Sequence, residues 1–204
     1  MSSLTDKEKL TKGFYDRNAH SWSNQHMSRG YWAKQIAEFK KLLPKGKILE
    51  VGCGGGRDAK ELIALGYSYT GSDVSSGLLK EAKQNLPEQK FVLQSVYELS
   101  FPEKFDGLWA SAVLLHIPKA RIDEALSSIK SVLKPGAIAY ISLKNGEGEE
   151  VIGEDDSARF FAFWKKEEFS KALARNGLEV INYIHDPRSL TDDWHCFFTK
   201  LTGS

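Results

Sequence analysis

Apolar residues along this chain switch between helical and strand-like spacing, and the switches mark out the elements. From Tyr31 to Leu43, apolar Trp32, Ile36, Phe39 and Leu43 recur one helical turn apart, with Lys34, Glu38, Lys40 and Lys41 turned outward. Pro44-Lys45-Gly46 stops this helix. Residues 1–45 as a whole read as a helical, aromatic layer placed ahead of the main fold. The run Lys47-Ile48-Leu49-Glu50-Val51 then ends abruptly in glycines, and it has the length of a strand buried in a parallel sheet.

Regular alternation follows. The spacing predicts a helix over Arg57–Leu65, closed by Gly66, and a strand over Tyr67–Ser72. Ser75 or Ser76 caps a helix carrying Leu78, Leu79 and Ala82, which Pro87 ends. Strands are expected at Phe91–Leu93 and Phe105–Ala110. Pro118 stands near the start of a helix whose Ile122, Ala125, Leu126, Ile129 and Leu133 share a face. After the Pro135-Gly136 turn comes a strand over Ala137–Leu143. Strands alternating with amphipathic helices make right-handed βαβ units and an open parallel α/β sheet. The tail departs from this rule. A helix over Glu167–Asn176, stopped by Gly177, precedes two strand-like runs, Leu178–Ile184 and Trp194–Lys200, separated only by the loop Asp186–Leu190. Without a crossover helix, these two must pair antiparallel.

Composition narrows the function classes. The 204 residues include 28 Lys and Arg against 27 Asp and Glu, a formal net charge of +1 that disfavours a strongly basic nucleic-acid binder. The two cysteines, Cys53 and Cys196, are too few for a disulfide framework and suit a reducing, cytoplasmic setting. The N-terminal residues lack the apolar core of a signal peptide, and no apolar run approaches the roughly 18 residues of a membrane span. The histidines His20, His26, His185 and His195 have no metal-site spacing, so no metal is expected.

The most informative stretch is Glu50-Val51-Gly52-Cys53-Gly54-Gly55-Gly56, between the first strand and the first helix of the sheet. Ligands of open α/β sheets bind there, outside the carboxyl ends of the strands. Four glycines in five residues exceed what a plain turn needs. Two ligands compete for the loop. Gly54-Gly55-Gly56-Arg57-Asp58-Ala59 fits a dinucleotide fingerprint, which seats a pyrophosphate on a helix N-terminus. Against it, Glu50 brings an anion into the loop, and Arg57 stands where the pattern begun at Gly52 wants a glycine. An anion suits a ligand with an ammonium group. Asp73, ending the second strand about 20 residues on, suits a ribose hydroxyl under either reading.

The run Ile48-Leu49-Glu50-Val51-Gly52-Cys53-Gly54-Gly55-Gly56 resembles the first motif of the class I S-adenosylmethionine-dependent methyltransferases. Four further features match that family in order: Ser72-Asp73-Val74-Ser75, Phe105-Asp106-Gly107-Leu108-Trp109-Ala110-Ser111, Leu133-Lys134-Pro135-Gly136 and the closing hairpin. The resemblance implies a Rossmann-like, doubly wound, mainly parallel seven-stranded sheet with a C-terminal antiparallel hairpin and an N-terminal helical lid. It implies one methyltransferase domain over 1–204, with 1–45 as cap and 46–204 as core. It also implies S-adenosylmethionine as cofactor and S-adenosylhomocysteine as product. Gly52, Cys53, Gly54 and Gly56, with Glu50 and Arg57 beside them, would face the methionine part. Asp73 would accept from both ribose hydroxyls, and Val74 would lie on the adenine, with Ala110 contributing from the fourth strand. Family members often carry an aspartate for the adenine amine; here Ser95 takes that slot, and the Val96 N–H serves the ring nitrogen.

Phe14-Tyr15-Asp16-Arg17-Asn18-Ala19-His20-Ser21-Trp22 resembles the entry segment of small members of this family. Tyr15 is expected to fold over the methionine end, whereas Trp22 and Trp32 are expected in the core. His116 follows the fourth strand on the cleft side and is the candidate general base, with backbone bonding as its structural alternative. The acidic stretch Asn145–Asp156 and the aromatic run Arg159–Trp164 read as a solvated loop leading into a buried element, or as a flap over the acceptor pocket. The resulting expectation is methyl transfer to a small molecule. The alternatives are methylation of a tRNA wobble uridine, a non-catalytic cofactor-binding protein and, more distantly, a dinucleotide oxidoreductase.

Overall fold

A computed structural model describes residues 4–27, 30–189 and 192–203. Three helices precede the sheet: α1 (Asp6–Arg17), α2 (Ala19–His26) and α3 (Ala33–Leu42). Thr5 and Glu8 start α1 with a reciprocal capping box that satisfies two of its otherwise unpaired N–H groups. The apolar stripe of α3 buries Ile36 and Phe39. Trp32, just ahead of it, is buried edge-on to Trp194 and Tyr140, as its expected core position requires.

The elements that follow are β1 (Lys47–Val51), α4 (Arg57–Ala64), β2 (Ser68–Asp73), α5 (Ser76–Asn85), β3 (Lys90–Leu93), β4 (Phe105–Ser111), α6 (Ile122–Ser131) and β5 (Leu133–Lys144). The chain then forms β6 (Glu149–Ile152), β7 (Arg159–Ala162), α7 (Lys166–Arg175), β8 (Leu178–Pro187) and β9 (Asp193–Leu201). The seven-stranded sheet runs β3-β2-β1-β4-β5-β9-β8. Pairings among β1 to β5 are parallel, and β9 inserts antiparallel between β5 and β8. This is the mainly parallel sheet with a closing antiparallel hairpin that the sequence predicts.

The chain leaves β1 towards β2 and β3, then returns to β4 on the other side of β1. Right-handed crossovers therefore place α4 and α5 on one face and α6 on the other. The carboxyl ends of β1 and β4 meet where the winding reverses, and a crevice opens there. Two local readings are corrected. Leu133 belongs to β5, paired with Phe105, because the strand continues through Pro135-Gly136 with a register shift instead of starting after it. In residues 145–164 the expected buried element is β7, packed on α1, but the stretch before it is not a plain loop: it contains the exposed strand β6, paired antiparallel with β7, and a short 3-10 turn over Asp155–Ser157. Part of the expected loop after β8, Leu190, lies outside the described residues.

Candidate active site

The crevice at the strand ends holds a cavity walled by the glycine loop, the ends of β2, β3 and β4, and helices α1 and α2. Gly52, Gly54 and Gly56 all have positive φ, so the loop after β1 folds back in a way that L side chains resist. Their surroundings differ. A Cβ on Gly52 would meet Val113 at 2.5 Å, whereas one on Gly54 would point into open space. Gly54 therefore leaves its backbone exposed to whatever fills the cavity.

Asp73 ties this loop to β2. Its carboxylate accepts from Gly54 N (2.9 Å) and from Ser75 N (2.8 Å). Burial raises its pKa despite these donors, so further donors from a ligand find a carboxylate short of solvation. Ser75 caps α5, accepting from Leu78 N (3.1 Å). Asp16 of α1 reaches the same helix end, accepting from Ser75 Oγ (2.7 Å) and Gly77 N (3.0 Å).

Beneath the loop lies a buried acidic floor. Glu50 accepts from the Tyr69 hydroxyl, and its pKa is pushed well up by burial and by the nearby Asp58 charge. Asp58 accepts from Trp109 Nε1 (2.9 Å) and from Arg57 Nε (2.6 Å). One guanidinium thus serves two neighbouring carboxylates, so a second cation in the cavity is favoured near Glu50. Burial pushes the Cys53 thiol far above its ordinary range, leaving it unreactive.

At the other end, Val74, Ser95 and Val96 line the wall. Ser95 Oγ accepts from Tyr97 N (3.3 Å), capping the short turn Val96–Glu98. Glu8 of α1 closes this end. It accepts from the Tyr97 hydroxyl and from Arg121 Nη1 (2.9 Å).

The opposite end is aromatic. The Tyr15 hydroxyl lies 3.0 Å from His116 Nε2, while His116 Nδ1 lies 2.7 Å from the Phe160 carbonyl of β7. A carbonyl only accepts, so Nδ1 carries the proton and Nε2 accepts from Tyr15. Burial, assisted by the nearby Arg159 charge, lowers the His116 pKa to about 4. Phe160 N in turn donates to Thr11 Oγ1 of α1 (2.9 Å), so helix, histidine and hairpin are pinned together.

Of the residues singled out from the sequence, Tyr15, Glu50, Gly52, Cys53, Gly54 and Arg57 line the cavity, as do Asp73, Val74, Ser95, Val96 and His116. Gly56 and Ala110 stand behind the wall. Gly56 adopts φ +90° at the start of α4, where a Cβ would meet Leu86, and Ala110 is wholly buried inside β4. Trp22 corrects the core expectation: it lines the cavity and stacks on His26 at 3.8 Å. Glu8, His26 and Asp58 are wall residues that sequence reasoning did not find.

Comparison with known proteins finds methyltransferases. The methyltransferase-domain family profile matches residues 48–136, from β1 into β5. An uncharacterized methyltransferase of Synechocystis sp. is 34% identical over 98 residues, covering 48% of this chain and 46% of that protein. A ubiquinone biosynthesis O-methyltransferase of Rickettsia akari is 27% identical over 239 residues, covering 100% of this chain and 93% of the relative. Among solved structures, the 1,6-didemethyltoxoflavin-N1-methyltransferase of Burkholderia thailandensis, with S-adenosylhomocysteine and its acceptor bound, superimposes with a TM-score of 0.80 at 16% identity. It covers 100% of this chain and 93% of that one. The magnesium protoporphyrin IX methyltransferase of Synechocystis gives 0.74 at 16% identity, covering 99% and 100%. At such identities the likeness is one of fold.

Proposed function

We propose a small-molecule acceptor for this chain, which belongs to the class I S-adenosylmethionine-dependent methyltransferases and is an enzyme drawing its methyl group from that cofactor. The observation that carries the site assignment is the pairing of an open Gly54 backbone with the buried Asp73 carboxylate. When bound, S-adenosylmethionine supplies a methyl group on a positively charged sulfur, with neutral S-adenosylhomocysteine as the leaving group. Asp73 accepts the ribose hydroxyls; Val74, Ser95 and the Val96 N–H hold the adenine. Gly52, Cys53 and Gly54 present backbone to the methionine part. Glu50, with its raised pKa and a single nearby guanidinium, favours the ammonium group, and Arg57 sets the charge balance of that floor. Gly56 and Ala110 act from behind, by shaping the loop and the fourth strand.

The protein's catalytic contribution is chiefly alignment and exclusion of water, because the leaving group is neutral. Tyr15 covers the cavity from α1, and His116 is a positioning residue that aims it. Both imidazole nitrogens are engaged, and a base with a pKa near 4 is weakly driven to take a proton at neutral pH.

Several features favour a small acceptor over RNA. The cavity is roofed by α1 and α2, and α1 is held down through Asp16, Glu8 and Thr11. The net charge is +1, and the β6–β7 hairpin carries an acidic run. We assign residues 1–204 to one functional unit with 1–45 as its cap. A cytoplasmic setting is consistent with two free buried cysteines and with the absence, among the described residues, of a helix able to cross a membrane. Methyl-labelled S-adenosylmethionine offered with a small-molecule extract and with total tRNA tests the reading. Label should enter the small-molecule fraction; label in tRNA instead would overturn it.

A further inference from the structure

Resting on the methyl-transfer reading above, we infer that the acceptor is a small aromatic acid whose carboxylate pairs with Arg159 among the rings of Phe14, Trp22 and Phe161. Alternation along β7 puts Arg159 and Phe161 on one face and Phe160 on the other. Phe161 approaches the His116 ring at 4.9 Å, and its guanidinium neighbour sits 4.5 Å from Phe14, 5.0 Å from Trp22 and 5.3 Å from Phe161. Tyr15 stands 5.3 Å from Trp22 and 5.6 Å from His116, so this aromatic box adjoins the acceptor end of the cavity.

Arg159 is set apart by what it lacks. Arg17, Arg57, Arg121, Arg175 and Arg188 each pair with a carboxylate. Among the described residues Arg159 pairs with no carboxylate and its buried Nε has no hydrogen-bond partner, the neutral Tyr15 hydroxyl being the polar group its guanidinium faces. Glu150, opposite Phe161 on the same face of the hairpin, forms no ion pair with Arg159, and three other acids of the segment are engaged elsewhere. Glu147 meets Lys165, Glu149 meets Lys7 and the Lys119 N–H, and Asp156 meets Arg17. A half-buried guanidinium without a counter-ion is costly, and the surrounding rings offset only part of that cost through cation–π attraction.

The missing partner has definable chemistry. A guanidinium matches a carboxylate with two parallel hydrogen bonds. The rings of Phe14, Trp22 and Phe161 favour a flat, apolar body beside that carboxylate. One unpaired cation, with an acidic hairpin close by, suits a monoanion better than a phosphate ester.

The test uses the protein saturated with S-adenosylhomocysteine and two matched pairs, benzoate with benzamide and 2-naphthoate with 2-naphthamide, titrated by calorimetry. Each acid should bind at least about ten-fold more tightly than its amide. Arg159→Gln should abolish the gap while keeping S-adenosylhomocysteine affinity, and Arg159→Lys should keep part of it. Equal binding of acid and amide to the parent protein, no binding by either acid, or a gap that survives in Arg159→Gln would overturn the inference. The first titration, of S-adenosylhomocysteine alone, reports separately on the cofactor assignment: absence of binding there would refute the methyl-transfer reading itself.

Discussion

Replacing Asp73 with Asn keeps size and shape but removes the charge that links β2 to the glycine loop and that the proposed assignment gives to the cofactor's ribose. In the parent, the two carboxylate oxygens accept from Gly54 N and Ser75 N and retain lone pairs for ribose hydroxyls. An amide has one accepting oxygen, so one of these N–H groups faces an NH2 and at least one hydroxyl loses its charged partner. A hydrogen bond to a charged group contributes about 1.5–3 kcal/mol, which corresponds to roughly a 10- to 150-fold rise in Kd for S-adenosylhomocysteine. The fold should suffer less. Burial raises the pKa of Asp73 in the folded protein, so its stabilising contribution is present at low pH and lost as pH rises through that pKa. At neutral pH the ionised carboxylate is therefore a cost in the ligand-free protein, and removing it offsets part of the lost N–H bond. Calorimetric titration and a melting curve on one variant separate the effects: affinity should fall at least ten-fold while the melting temperature moves by a few degrees. Unchanged affinity would remove Asp73 from cofactor binding.

His116 governs two further outcomes. Its folded pKa of about 4 lies below the ordinary 6.5, so the unfolded chain takes up a proton that the folded protein refuses, and stability falls as pH drops from about 7 to 4. The loss is at most about 3 kcal/mol, the free-energy equivalent of that gap in pKa; His116→Asn should flatten the melting-temperature profile across that range, and an unchanged profile would contradict the assigned neutral state. The same variant, whose amide nitrogen takes the Nδ1 position and can donate to the Phe160 carbonyl, should keep turnover within about ten-fold of the parent at pH 7; a loss of about 10²-fold or more in a folded variant would restore His116 as a general base.

The parallel core was legible because its signals are local: a short apolar run, a glycine break, a capped amphipathic helix. Glu50, Gly54 and Asp73 could be found the same way, since ligand sites of such sheets follow strand ends. Other features were hidden for physical reasons. Strand β6 is exposed along its whole length, so Glu149–Ile152 carries no burial pattern to betray it. Leu133 continues the apolar spacing of α6 by coincidence, two residues after the helix has ended at Ser131, and opens β5. Trp22 defied the default that large aromatics fill cores, because α2 packs over the glycine loop, with Ser23 against Gly55, and turns the indole towards the cavity. The local capping box with Thr5 does not reveal that Glu8 closes the cavity, and nothing near Arg159 in sequence reveals its place: the telling contacts, Glu8 to Arg121 and Phe14 to Arg159, span more than a hundred residues.

The central claim is that the loop after β1, opened at Gly54, holds S-adenosylmethionine. Titrating S-adenosylhomocysteine into the parent protein and into Gly54→Val, side by side, tests it most directly. A valine there is strained at φ +53° and projects into the space left for the ligand, without touching the packed core. The parent should bind one equivalent saturably and the variant should not bind, while both retain a cooperative melting transition. A parent that takes up no S-adenosylhomocysteine, or a folded Gly54→Val that binds it as tightly as the parent, would contradict the account.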